Sequence, residues 1–143
     1  MTNIRQAAID DCERLYLINR DSLGYDYAIE ETRKRLSFVL SAKTNKLFVA
    51  EIDGVVAGYI HVADYDCIYA DSLKNILALA VDKKYQGLGV GRQLLEKAEE
   101  WSRSDGSVGV RLVSGMNRAE AHKFYAHCGY TMRKEQKNFI KLF

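Results

Sequence analysis

The chain divides into short blocks in which apolar residues alternate with polar ones or recur at helical spacing. Residues 3–9 alternate like a strand. A helix is expected over 12–23, capped by Asp10 or Asp11, with Leu15, Ile18 and Leu23 inward, and it stops at Gly24. Residues 24–27 form a loop, and a second helix over 29–42 places Leu36, Val39 and Leu40 on its buried stripe. Strands over 46–52 and 55–63 flank Asp53-Gly54, a strong hairpin signal. A loop rich in Asp and Tyr, 64–72, leads to an apolar strand, 76–81. A glycine-rich joint then opens an amphipathic helix with Leu94, Leu95, Ala98 and Trp101 on one side, closed by Ser104-Asp105-Gly106. A strand over 108–113, a helix over 117–127 stopped by Gly129, and a closing hairpin of 131–135 with 138–143 complete the chain. The order β-α-α-β-β-β-α-β-α-β-β predicts an α/β fold: one domain over 1–143, with a mixed sheet and helices on both faces.

The joint 83–91 carries the clearest chemistry. Glycines where a strand turns into a helix permit the positive φ angles that let several main-chain N–H groups converge at the positive end of a helix dipole. This is the pattern of a phosphate cradle; an ordinary glycine-rich turn is the alternative. A kinase-type P-loop requires Gly-Lys-Ser/Thr, whereas Gly91 is followed by Arg92-Gln93. A dinucleotide fingerprint requires G-x-G-x-x-G near the start of a doubly wound domain, and here Gly87, Gly89 and Gly91 come late, at every second position.

The string Gln86-Gly87-Leu88-Gly89-Val90-Gly91 fits Q/R-x-x-G-x-G/A and resembles the pyrophosphate loop of the GCN5-related N-acetyltransferases. Residues 117–130, NRAEAHKFYAHCGY, are similar to that family's last core helix, A-x-x-F-Y-x-x-x-G-F/Y, with Ala121, His122, Phe124 and Tyr125 closest to the aminoalkylphosphonate and small-amine members. The order of elements is similar as well, so the resemblance spans the whole chain. It implies an acetyl-CoA-dependent N-acetyltransferase in which an amine attacks the thioester directly. It implies that Gln86, Gly87, Leu88, Gly89, Val90, Gly91 and Arg92 bind the pyrophosphate, and that Leu79, Ala80 and Val81 pair with the pantetheine arm. A main-chain N–H near Leu79 or Ala80 would face the thioester oxygen. Lys83, Lys84, Arg118 or Lys123 would suit the 3′-phosphate. Tyr125 takes the family's general-acid place; a phenol of pKa about 10 stays protonated at neutral pH and can supply the departing thiolate. Family members commonly carry Asn seven residues before that tyrosine. Here the place holds Arg118, and Asn117 stands one earlier, either as a cofactor contact or as the helix cap.

The amine must be neutral to attack. Relatives begin the central strand with glutamate, sometimes with another three residues on; these places here are Asn75 and Ala78. Asp64, Asp66, Asp71, Glu51, His61 or water remain as bases. Tyr25, Tyr27, Asp64, Tyr65, Asp66, Tyr69 and Asp71, with Ser114 at a strand end, are the expected substrate walls. Aromatic faces with carboxylates suit a cationic small-molecule or peptide amine, unless Asp and Tyr merely build turns. The missing strand carboxylates leave a second reading, a non-catalytic acyl-CoA-sensing module.

Composition narrows the classes. The formal net charge of +2 gives no basic stripe for nucleic acid. No apolar run approaches a membrane span, and no leader is expected because residue 3 already begins a strand. Three widely spaced cysteines and three histidines make no ligand pattern, so no metal is expected. Odd, unpaired thiols suit the reducing cytoplasm. The closing hairpin offers an edge through which a homodimer could form.

Overall fold

The structure, a computed structural model, describes residues 1–143 and falls into two compact units, Met1–Leu112 and Val113–Phe143. In the first, β1 (Thr2–Gln6) leads through a 3-10 turn (Ile9–Asp11) into α1 (Cys12–Ile18). A π-helical turn (Asn19–Leu23) ends at Gly24, whose φ of 77° is the left-handed stop that glycine supplies. The single helix expected over 12–23 is therefore two joined segments, α1 and the π-helical turn. Asp11 stands at the start of α1 but makes no side-chain cap bond to it; its carboxylate instead accepts the Ala8 N–H at 2.8 Å, bracing the 3-10 turn, and pairs with Arg5 at 2.9 Å. Next come α2 (Ile29–Ser41), β2 (Asn45–Ile52), β3 (Val55–Cys67), β4 (Ala70–Val81), α3 (Val90–Ser104) and β5 (Val110–Leu112). On α2, Leu36 is buried as expected, but Leu40 is exposed.

The five strands lie in sequence order, antiparallel from β1 to β4 and parallel between β4 and β5. One face carries α1 and α2 over Leu47, Val49, Tyr59 and Ala80, joined by Cys12, Leu15, Ile18 and Leu36. The other face receives α3, whose buried Val90, Leu94, Leu95 and Ala98 form one stripe, as the sequence spacing requires. Lys97 of α3 lies over Phe48, which sits between Leu47 and Val49 and points the opposite way from both.

Two expectations are corrected. The 64–72 segment is not a loop. β3 and β4 extend through it as one long hairpin, turning only at Ile68 and Tyr69, because Tyr65, Cys67 and Leu73 continue the alternation and pair across it. The closing hairpin is absent: residues 131–143 form no strand and are all exposed. A two-stranded hairpin with a polar centre is marginal without a third strand, and 134–138 (KEQKN) supplies that polar centre. In the C-terminal unit, α4 (Ala119–His127) begins two residues later than expected. Arg118, not Asn117, stands at its cap, and no side chain caps the helix.

Candidate active site

β4 is the spine of the site. β5 pairs with it only from Lys74 to Ile76. Beyond Ile76 that edge of β4 has no strand beside it, and the register against β3 slips by one residue at Leu77, which is exposed. The central strand thus parts from β5 beyond Ile76, leaving the alternate main-chain amides of 77–80 that face away from β3 open to an extended, amide-rich partner. The other edge of β4 is held close to β3 by Gly58: a Cβ there would stand 2.8 Å from the Ala80 carbonyl oxygen.

The end of β4 is pinned before the glycine joint begins. Ser22 donates to the Val81 carbonyl at 3.1 Å, and the Asp82 N–H donates to Ala57 at 2.8 Å. Asp82 pairs with Arg14 at 2.8 Å and accepts the Lys84 N–H at 2.9 Å. Gln86 reaches back to Val81 at 3.3 Å. Gly87 and Gly89 both have φ of 81°, with no atom closer than 4.0 Å to a would-be Cβ, so their backbone conformation and not crowding demands glycine. Gly89 caps α3 without a side-chain bond, and the first amide of the joint to find a helical partner is that of Gln93, bonded to Gly89 at 3.1 Å. The N–H groups of Val90, Gly91 and Arg92 precede it and are the orphan donors of the helix start. This open, exposed cradle fits a diphosphate.

The expected substrate residues separate. Asp64 lies on the α3 face, where it accepts from Lys74 at 2.6 Å. Lys74 is 2% exposed, also pairs with Asp105, and lies 4.1 Å from the centre of the Trp101 ring. Burial pulls the Lys74 ammonium down, but its bonds to Asp105 and Asp64 outweigh that and raise it. Asp66 accepts from Ser72, and Asp71 is exposed. Glu51 is held by Arg5 at 2.9 Å. His61 is bonded to Asn45 at 2.8 Å, and burial pushes its imidazole down. The carboxylates Asp64, Asp66 and Glu51 are therefore engaged in holding the sheet together.

The opposite face carries a different group. Asn75 pairs in register with Arg111, whose Nη1 donates to the Asn75 Oδ1 at 2.7 Å. The guanidinium carbon lies 4.3 Å from the centre of the Tyr65 ring. The Tyr69 phenol is raised first by Cys67 and then by Tyr65, and lowered by Arg111. Arg111 escaped the sequence reading, although one charged residue inside V-G-V-R-L-V was a visible signal. Tyr25 and Tyr27 stand exposed after the π-helical turn. That turn is tied to the sheet through Asn19, which accepts from the buried Tyr59 hydroxyl; burial raises this phenol to about 12.

In the C-terminal unit, Tyr125 is half-buried and lies 5.3 Å from Phe124 and 6.0 Å from Tyr130, centre to centre. Burial raises its phenol, Arg118 lowers it and Cys128 raises it. The Ser114 hydroxyl is buried without a partner. His122 is bonded to the Gly115 carbonyl at 2.8 Å, closing the turn that contains Asn117.

A family model described as the acetyltransferase (GNAT) family matches residues 9–130. The chain belongs to the GNAT acetyltransferase family. As a GNAT protein it is an acyltransferase. An uncharacterized N-acetyltransferase of Methanocaldococcus jannaschii is 23% identical over 149 residues, covering 98% of this chain and 64% of the relative; the chain thus spans just under two thirds of that relative. An aminoalkylphosphonate N-acetyltransferase of Salmonella typhimurium is 27% identical over 128 residues, covering 89% of this chain and 83% of the relative. The solved structure of AAC(6')-Iy, in complex with a CoA-S-monomethyl-acetylneamine bisubstrate analogue, superposes with a TM-score of 0.88 at 16% identity, covering 100% of this chain and 99% of the other. The GNAT fold expected from the order of elements is the fold observed, apart from the closing hairpin. No helix is long and apolar enough to cross a membrane.

Proposed function

We propose that this GNAT protein, a single N-acetyltransferase domain over 1–143, moves an acetyl group from acetyl-CoA to the primary amine of a small molecule or peptide. The observation that carries this reading is the cradle: two glycines held at φ of 81° before a helix whose first amides lack partners. Gln86 to Arg92 would hold the diphosphate, and the open edge of β4 through Leu79, Ala80 and Val81 would hold the pantetheine amides. A cofactor contact from Asn117 has no support beyond its place in the turn before α4. The cofactor supplies an acyl thioester, activated for attack by an amine.

Tyr125 supplies the proton. Its phenol, raised by burial, stays protonated across the neutral range. It can therefore donate from Oη to a departing thiolate. With Asp64, Asp66 and Glu51 engaged elsewhere, Asp71, His61 and water remain as routes for the amine's proton. Tyr125→Phe should lower turnover about 10²-fold or more, the usual scale for loss of a general acid, with acetyl-CoA affinity by calorimetry unchanged. Unaltered turnover removes Tyr125 from the mechanism. Uptake of CoA without thiol release from any amine would favour the acyl-CoA-sensing alternative.

A homodimer belongs to the same reading. No residue of Val113–Phe143 is buried, although Met116, Met132, Phe139, Ile140, Leu142 and Phe143 are apolar. Such a segment gains from apolar cover, and a second copy supplies it at matched concentration. None of the three cysteines is in a disulfide, which suits a cytoplasmic setting.

A further inference from the structure

We infer that the acceptor amine carries an anionic group, a carboxylate, phosphate or phosphonate, and that Arg111 is the residue that holds it. This rests on the transferase reading above and names its acceptor class.

The argument starts from charge. Arg111 sits on the last strand of the sheet with its Nε buried and without any hydrogen-bond partner. Only Nη1 is engaged, by the neutral Asn75, and the Tyr65 ring covers the guanidinium. Carboxylates are not scarce on this hairpin, yet none pairs with Arg111: Asp64 serves Lys74 and Asp66 serves Ser72. A guanidinium cannot discharge itself by losing a proton, and a partly buried charge without an anion is costly. Nη2, by contrast, is neither hydrogen-bonded nor enclosed, so the outer end of the guanidinium is an uncompensated anion site, held flat by an aromatic face, with the donors that carboxylate and phosphonate oxygens match.

Position identifies whose anion it is. Arg111 lies opposite Asn75, and β4 runs six residues further to Val81 before the glycine joint begins. At about 3.3 Å per residue that is roughly 20 Å, too far for the cofactor phosphates held by the joint. The thioester would lie between, beside Leu79 and Ala80. An anion at Arg111 therefore belongs to the other substrate. The acidic segment gives less support to a cationic acceptor than its sequence suggests, because Asp64 lies on the α3 face with Lys74 while Arg111 lies beside Asn75 on the other face.

The test uses the full chain with acetyl-CoA and amines of similar length: 2-aminoethylphosphonate, β-alanine, n-propylamine and 1,3-diaminopropane. Thiol release gives kcat and KM for each with the wild type, Arg111→Lys and Arg111→Gln. We expect kcat/KM for 2-aminoethylphosphonate or β-alanine to exceed that for propylamine by about 10²-fold or more; which of the two leads distinguishes a phosphonate-type from a carboxylate-type acceptor. Arg111→Gln should collapse that ratio toward unity, mainly through KM, while propylamine turnover and CoA affinity by calorimetry stay within about threefold. Arg111→Lys should recover part of it. Preference for the diamine or propylamine overturns the inference. So does an equal loss for every amine with a lowered Tm, which is the signature of a structural arginine. If no amine releases thiol, the transferase reading fails separately. Calorimetry of 2-aminoethylphosphonate and β-alanine against wild type and Arg111→Gln then decides the anion site: binding lost in the variant upholds it, and no binding to either form ends it.

Discussion

Lys74 and its two carboxylates should respond unequally to removal, and the inequality follows from their burial. The Lys74 side chain is 2% exposed, whereas Asp64 and Asp105 keep 31% and 51% of theirs. In Lys74→Met the thioether replaces the alkyl stem against Trp101, and both carboxylates turn to water. The loss is that of an ion pair with one wet partner plus a cation–π contact, about 1–2 kcal/mol. In the double variant Asp64→Ala/Asp105→Ala the ammonium stays between the sheet and α3 with no anion. Stranding a buried charge costs about 3–5 kcal/mol. Urea denaturation at pH 7 measures both, read as the shift in midpoint at constant m. The Lys74→Met/Asp64→Ala/Asp105→Ala triple variant should recover most of the double variant's loss. The reasoning is refuted if Lys74→Met costs more than the double variant, or if the triple variant gains nothing over it. Asp64→Ala carries a functional arm as well: as a counterion of Lys74 it should leave the KM for the amine acceptor within about threefold, whereas a substrate residue would not.

Gly89→Ala should cost about 1–2 kcal/mol, the strain of an L-residue at φ of 81°, and weaken CoA binding in calorimetry; full affinity would remove the cradle from the argument. Gly58→Ala, whose Cβ would meet the Ala80 carbonyl at 2.8 Å, should cost about 1–3 kcal/mol by forcing β3 and β4 apart, read by thermal unfolding. His61 has its pKa lowered by burial, so the unfolded chain binds the proton more tightly. Stability should be full above about pH 6.5 and fall as the pH drops below it, and His61→Gln should flatten urea midpoints between pH 6.5 and 5. In sedimentation, the full chain should run as a dimer, and deletion of residues 131–143 should shift it toward monomer.

The sequence by itself determined what depends on near neighbours. Alternation in 46–52 and 55–63 specifies antiparallel strands, and Asp53-Gly54 turns them. The i, i+3, i+4 stripe of Leu94, Leu95 and Ala98 specifies a helix with one buried face. Gly87 and Gly89 mark a backbone that only glycine adopts cheaply, so the cradle was legible as a string. Tertiary structure alone decided which charges meet. A strand's two faces are equivalent in sequence; pairing with β4 sent Asp64 to Lys74 on one face and Tyr65 to Arg111 on the other. The apolar residues of 138–143 show the same limit from the other side: strand propensity is written in them, but a strand forms only where another edge accepts its hydrogen bonds.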